Sequence, residues 1–576
     1  SQIQMSAVFE DRTSYAAGLK VYGGSVVVEK IGLGVKGESS VTVLVSLNPV
    51  DEPFGGFHTE FPDTVCYESL LKAHTELHSG LMDRVSFSLS STDIEEQTNE
   101  RILLDTHREQ MRPKLVEKLF NYGRYLLVSS SMGEAMYPAN LQGLWNGDYQ
   151  PAWTGGIFNN ENVQMNYWAS LAGNLHEALL PLFGLFESLR ENFRENARNL
   201  FGCRGFLIPL YMSPRSGRKH DRQSHVVHWT AGGGWIAQHF FDYYLYTDDE
   251  YFLRQRAVPF MQEVALFYED FFTEGTDGLW VSAPSNSPEN CPMGDFLGAG
   301  KVSVCMNATM DFAVAKELFT NLIYASVHLG INGEHLSRWS AFLKKIPPYQ
   351  INGEGALAEW MDPQLRDNYR HRHMSHLYGL FPGREISKKQ TPELFNACRV
   401  AVENRRKIGI GQQTGWSLAN MALIYARLGE GDRALECIRL LTRSCLGKNF
   451  FTYHNSDLSM GITQELIQGM PAPFQIDANF GLTAAVLEML LFCRLGEIHL
   501  LPALPASWRK GSVQGLHAMG NVRVDLKWQN GKVEATMDSS QKQEVCIYCG
   551  DEYQYAVLPC NQAVTLSFSY KKKERL

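Results

Sequence analysis

The stretch GWSLANMALIYARLGEGDRALECIRLL, residues 415–441, decides the fold class. Its first half reads as a helix that stops at Gly429, a residue suited to the left-handed position after a helix end. After a break at Glu430-Gly431-Asp432, a second helix sets Ala434, Leu435, Ile438 and Leu441 on one face. Two helices on so short a connection must run antiparallel. Just upstream, PELFNACRVAVENRR, residues 392–406, aligns Leu394, Ala397, Cys398, Ala401 and Val402, with Thr391 placed as N-cap and Pro392 at the first helical position. The same periodicity recurs at 109–128, 165–200, 232–246, 253–273, 307–329 and 480–494. No fixed repeat length links these segments, so a closed ring of paired helices with a loop-built cleft fits better than a solenoid.

Strands flank the helices. GSVVVEK, SSVTVLVSLN and DRVSFSLSS lie in residues 1–90, and NVRVDLKWQNGKVEATM follows residue 498, with Asn530-Gly531 as a hairpin turn. The expected division is a short β-sandwich region at 1–91, linker helices and a helical ring at 92–497, and a small β-domain at 498–576. Length alone predicts about two to four domains.

Composition narrows the function classes. The chain has 576 residues, 44% hydrophobic and 20% charged, with a formal net charge of −9. That balance gives no electrostatic support to nucleic-acid binding or to an anionic membrane surface. No apolar run approaches the length of about 18 that a membrane span needs. The first residues carry no basic-then-apolar leader, and the compartment and oligomeric state stay open. Eleven cysteines without regular spacing point to free thiols. Cys546 and Cys549 have knuckle spacing but no second pair, so no metal is expected there.

The loops between helices hold the unusual chemistry. NENVQMNYW (160–168) crowds amides among aromatics. YPANLQGLWNGDYQPAW (137–153), VVHWTAGGGW (226–235), SAPSNSPEN (282–290), YRHRHMSHLYG (369–379) and PFQIDANFG (473–481) do likewise. Aromatic faces beside amides, Arg and His suit a sugar: rings stack on C–H faces and amides bond neutral hydroxyls. Each residue singly reads just as well as a packed or turn residue. His371, His373 and His376 have spacings compatible with a metal, but Arg372 sits among them and no acidic partner is fixed by the sequence, so no metal or cofactor is called. The glycines of AGGGW match no phosphate-binding fingerprint. Glu289, between Pro288 and Asn290, reads either as an exposed loop residue or as a general acid whose pKa apolar neighbours raise. Asp477, among Phe474, Ile476 and Phe480, reads either as a helix cap or as a paired functional carboxylate.

These motifs resemble glycoside hydrolase family 95, the inverting α-L-fucosidases. The likeness runs from YESLLKAH at residue 67 to VDLKWQNGKV at residue 533, through NLQGLWN, NENVQMNYW, SAPSNSPEN, EWMD, HRHMSHLYGLFPG, TGWSLA, FQIDANFG and LLPALP. It implies a multidomain α+β architecture, with a central (α/α)6 barrel between an N-terminal β-sandwich and a C-terminal β-domain. It also implies hydrolysis of terminal α-1,2-linked fucose on an oligosaccharide or glycan. Glu289 maps onto the general acid. Asn160 and Asn162 map onto the amides that hold the attacking water, and Asp477 onto the carboxylate that polarises them. Arg372 and His373 map onto sugar contacts; Trp229, Asp242 and Phe158 are further expected substrate-binding positions. An inverting enzyme separates acid and base groups by roughly 6.5–9.5 Å. Three positions depart from the family pattern. Phe158 stands where fucosidases carry His, Glu161 replaces an aliphatic residue, and Asp242 replaces a glutamate. Other readings are an α-L-galactosidase or relative, a carbohydrate-binding homologue without catalysis, and a phosphorylase.

Overall fold

The computed structural model describes residues 2–8, 14–30, 32–37, 40–50, 61–89, 97–108, 111–133, 135, 137–219, 223–294, 301–331, 333–455, 466–467 and 470–570. The chain divides into two compact units, Ser1–Leu81 and Met82–Leu576.

In the first unit the strands Gln2–Val8, Ser14–Tyr22 and Thr42–Val50 form an antiparallel sheet with Ser14–Tyr22 in the middle, where Ala17 faces Met5 on one side and Leu47 on the other. Ser25–Glu29 and Gly32–Lys36 form a separate hairpin. The segment Tyr67–Met82, expected within a strand region, is instead a helix. Its residues Glu68, Leu70, Leu71, Lys72 and Ala73 are good helix formers. Tyr67, Leu70, Leu71, Leu77 and Leu81 fall on one face at helical spacing, yet none of its side chains is buried.

The second unit carries the helices and two further sheets. Ser86–Ser88, expected with the N-terminal strands, pairs with Lys510–Ala518, Phe87 facing Val513. It completes a five-stranded sheet with Val522–Gln529, Lys532–Ser539 and Val564–Ser569. The strand Lys510–Ala518 bulges between Val513 and Leu516. Gly515 takes φ +78° there, and a Cβ on it would stand 1.8 Å from the Arg84 carbonyl oxygen. The turn at Asn530 and Gly531 has φ of 49° and 79°, the doubly positive pair of a type I′ hairpin. A four-stranded sheet joins Leu491–Arg494, Glu497–Leu500, Gln543–Cys549 and Glu552–Leu558, so strands begin at Leu491 rather than 498. Cys546 and Cys549 lie on one of these strands, three residues apart and thus on opposite faces. All eleven cysteines are free thiols.

The helix pair read from 415–441 forms as Gly415–Arg427 and Gly431–Ser444. At the start of the first, Ser417 Oγ accepts from the Thr414 amide at 2.8 Å, and Gly429 at φ +74° turns the chain. Pro392 opens the preceding helix, but the Thr391 hydroxyl bonds the Ser387 backbone instead of capping. Around the ring, Asp477–Leu490 packs on the short helix Asn162–Tyr167, that on Gly232–Thr247, and that on Thr309–His328. Thr309–His328 meets the turn Ser375–Leu377. Arg427, ending the 415 helix, donates to the carbonyls of Leu380 and Gly383, and that helix packs back on Asp477–Leu490. The succession of neighbours closes. Among the described residues no helix is long and apolar enough to cross a membrane.

Candidate active site

Several inner helices start at the same end of the ring, and there the loop side chains converge. Asn160, Glu161 and Asn162 lead into the Asn162 helix and are all buried. Asp477 opens its own helix and is fully buried. Its Oδ1 accepts from the Ala478 amide at 2.7 Å; its Oδ2 accepts from Asn162 Nδ2 at 2.6 Å and from Gln475 Nε2 at 2.8 Å. Asp477 therefore pairs with an asparagine in the first turn of a helix whose N-cap is Ile476, so it does not cap that helix. Burial pushes its pKa up to about 7, against the pull of those donors.

Two residues before Asn162, Asn160 Nδ2 donates to Glu289 Oε1 at 3.0 Å. Glu289 is the partly exposed member of the group, 29% accessible at its side chain. Arg372 approaches its Oε2 at 3.8 Å and His373 Nε2 at 3.9 Å. His373 lies against the Trp416 ring, 4.5 Å between centroids, and stacks on His371. Burial, then the charges of His371, Arg372 and Arg405, hold the His373 pKa well below the ordinary imidazole value.

The loop bearing Glu289 is fixed by two buried carboxylates. Asp311 Oδ2 accepts from the Ser282 and Ser285 hydroxyls at 2.7 and 2.6 Å. Glu359, of the EWMD motif, accepts from Ser287 at 2.8 Å, Asn290 at 2.7 Å and Arg405 at 2.9 Å. The Ser375 hydroxyl donates to the Pro288 carbonyl. Neither Asp311, Gln475 nor Ser375 stood out in the sequence. Their only signal was membership of a polar run, and which runs meet is a tertiary fact.

Not every expected residue joins this group. Phe158 sits nearby on the strand Ile157–Phe158, paired with Tyr211 at 5.0 Å between rings. Trp229 does not face the cleft: it is 0% exposed, in a core with Leu210, Trp235, Met310, Val314 and Tyr378. Asp242 stands ten residues along the helix that begins at Gly232, about 15 Å toward the other end of the ring. There Arg384 chelates it at 2.8 and 2.9 Å. Of the loop aromatics, Trp145 and Trp153 pack on Phe451 and His454, and Tyr149 is fully out in solvent. Among the described residues no group of His, Cys, Asp and Glu could hold a metal ion.

A buried carboxylate–amide couple beside a second carboxylate, at one end of a helical ring, defines a class. Residues 66–490 match the glycosyl hydrolase family 95 catalytic domain and residues 493–574 that family's C-terminal domain. The chain belongs to glycoside hydrolase family 95. Over 477 residues, 81% of the chain, it is 36% identical to alpha-L-fucosidase 2 of Arabidopsis thaliana, covering 55% of that protein. It is 28% identical to a probable alpha-fucosidase A of Aspergillus niger, across 81% of this chain and 59% of that one. The chain thus spans little more than half the length of these relatives. In structure it resembles a putative kojibiose phosphorylase from the human microbiome, with a TM-score of 0.64 at 10% identity over 98% of this chain and 76% of the other. That likeness concerns the fold.

Proposed function

We propose that this chain is an inverting exo-glycosidase that releases terminal α-L-fucose, α-1,2-linked, from oligosaccharides or glycans, with its site on an (α/α)6 barrel. The observation that carries the reading is one loop serving two carboxylates: Asn162 bonds Asp477, and Asn160 bonds Glu289. The match to an α-L-fucosidase at 36% identity supports the choice of sugar.

In this scheme Glu289 protonates the departing glycosidic oxygen. A water held by the Asn160 and Asn162 side chains attacks the anomeric carbon from the opposite face. An amide alone is too weak a base for that water. Asp477 accepts the Asn162 N–H, which makes the Asn162 oxygen a stronger acceptor; as the water's proton passes to that oxygen, the amide proton passes to Asp477. The Asn160–Glu289 bond closes the space between those two side chains, and in this scheme a sugar entering there parts it. Arg372 and His373 then bond sugar hydroxyls. Phe158 offers no hydrogen bond where fucosidases carry His, and an α-L-galactoside or a related sugar is the second reading it favours.

Proton NMR of 2′-fucosyllactose during digestion tests this directly. The β-anomer of fucose should appear first, and Glu289→Gln should lower kcat by about 10²–10⁴-fold. First release of the α-anomer would end the single-displacement scheme. A nitrophenyl α-L-galactoside cleaved faster than the fucoside would reassign the sugar.

A further inference from the structure

Glu161 lies between the two motif asparagines, at a place where a hydrocarbon side chain would pack without cost. It is 1% exposed, and among the described residues its Oε1 has no hydrogen-bond partner. Burying a carboxyl group this deeply is costly unless it is bonded. Its neighbours limit what can bond it. Asn420, on the Gly415–Arg427 helix, lies across a small cavity from it. The cavity beside it, bounded also by Trp168, Trp235, Ser375 and Tyr378, measures about 10 Å³, at the lower limit for a single water. A polar approach comes from His373 Nδ1, 3.5 Å from Glu161 Oε2, and among the described residues that nitrogen is itself buried without a partner. The other nitrogen of the same ring faces Glu289.

We infer that Glu161 is a positioning residue that holds His373 in the tautomer whose Nε2–H faces Glu289. The inference rests on the role of Glu289 proposed above. A neutral imidazole carries one ring proton, and the partner of one nitrogen decides which nitrogen keeps it. A protonated Glu161 donates to Nδ1, which leaves the proton on Nε2. An ionised Glu161 would take an Nδ1–H bond and turn the Nε2 lone pair toward Glu289. The surroundings favour the first arrangement. Burial, then the nearby Asp477 and Glu289 carboxylates, push the Glu161 pKa well above the usual carboxylate value. The doubly protonated imidazole is disfavoured by burial and by His371, Arg372, Arg405 and His454. An Nε2–H aimed at Glu289 steadies the carboxylate that forms once the acid has given up its proton. A lone pair there would repel that carboxylate and compete for the proton beforehand.

The test compares Glu161→Gln, which keeps a donor toward Nδ1, with Glu161→Ile, which keeps only bulk. Nitrogen-15 NMR of histidine-labelled protein, with His373 assigned through His373→Gln, reads the ring protons without substrate. Wild type and E161Q should show a protonated Nε2 and a bare Nδ1, and E161I a mixture of tautomers. On a nitrophenyl α-L-fucoside, E161I should lose about tenfold in kcat, 1.4 kcal/mol, with KM within about twofold; E161Q should recover kcat to within about threefold. A proton on Nδ1 in the wild type overturns the inference, and so does an E161I protein with unchanged tautomer and kcat. Should E161I not fold, the wild-type and E161Q spectra decide alone. A wild type inert on α-L-fucosides, or an E289Q variant as active as wild type, instead sinks the assignment of the acid, and the ring spectra still report whether Glu161 sets the tautomer.

Discussion

At the scale of the residue, Asp477 shows how a site residue strains against its surroundings. A carboxylate whose folded pKa is raised binds its proton more tightly in the native state than in the unfolded chain. Between the ordinary value of 3.8 and about 7, the native state therefore holds the extra proton, and stability falls as pH rises through that window. Replacing Asp477 by Asn removes the titration. We expect the melting temperature of D477N, relative to wild type, to climb between pH 4 and pH 7 and level off above, a change worth a few kcal/mol, while activity is lost. A difference constant across that range would contradict the burial assigned to this carboxylate. Asp477 was legible in the sequence because an aspartate among Phe474, Ile476 and Phe480 needs a partner; that the partner is Asn162 came from the family motif. Trp229 was misread for the converse reason. A tryptophan near three glycines looks like an exposed stacking face, yet the glycines let helices close over it: a Cβ on Gly232 would lie 2.9 Å from its ring.

At the scale of the element, the acid loop is held more by its anchors than by its own sequence. Glu359 and Arg405 are both about 1% exposed at their side chains and meet at 2.9 Å. Removing one partner of a buried pair leaves the other charge uncompensated, a loss of about 3–5 kcal/mol. Glu359→Ala should show that loss in denaturant melts, and it should also free Ser287 and Asn290, on either side of Glu289. A stability change below about 1 kcal/mol would mean that the loop is held otherwise. Such anchoring cannot be read from EWMD, because Glu359 and Ser287 are 72 residues apart. The helix pair at 415–444 was legible throughout, since its apolar period and Gly429 agree. The helix at 67–82 was missed although Tyr67, Leu70, Leu71, Leu77 and Leu81 stand at helical spacing, because the β-branched runs on either side set the reading of the whole block as strands.

At the scale of the molecule, the helices and the C-terminal sheets are one body. The strand Ser86–Ser88 enters the last sheet, Trp508 stacks toward Phe87 at 5.9 Å, and the Arg84 pair with Glu177 ties the same segment to the helices. A chain stopped at Leu490 should therefore aggregate rather than fold as a free catalytic unit. A soluble product with a cooperative melt, read by circular dichroism, would refute this. The sequence placed strands at both ends, and could not reveal that one from the first block belongs with the last.

That pairing has a consequence for how the protein is made. Ser86 and Gln514 are cross-strand partners 428 positions apart. As the nascent polypeptide leaves the ribosome, the early strand waits with an unpaired edge until the strand at 510–518, more than 400 positions later, has been translated. Chaperone demand should therefore fall on this edge, and its exposure during synthesis, rather than the chemistry of the cleft, sets the yield of active protein in the cell.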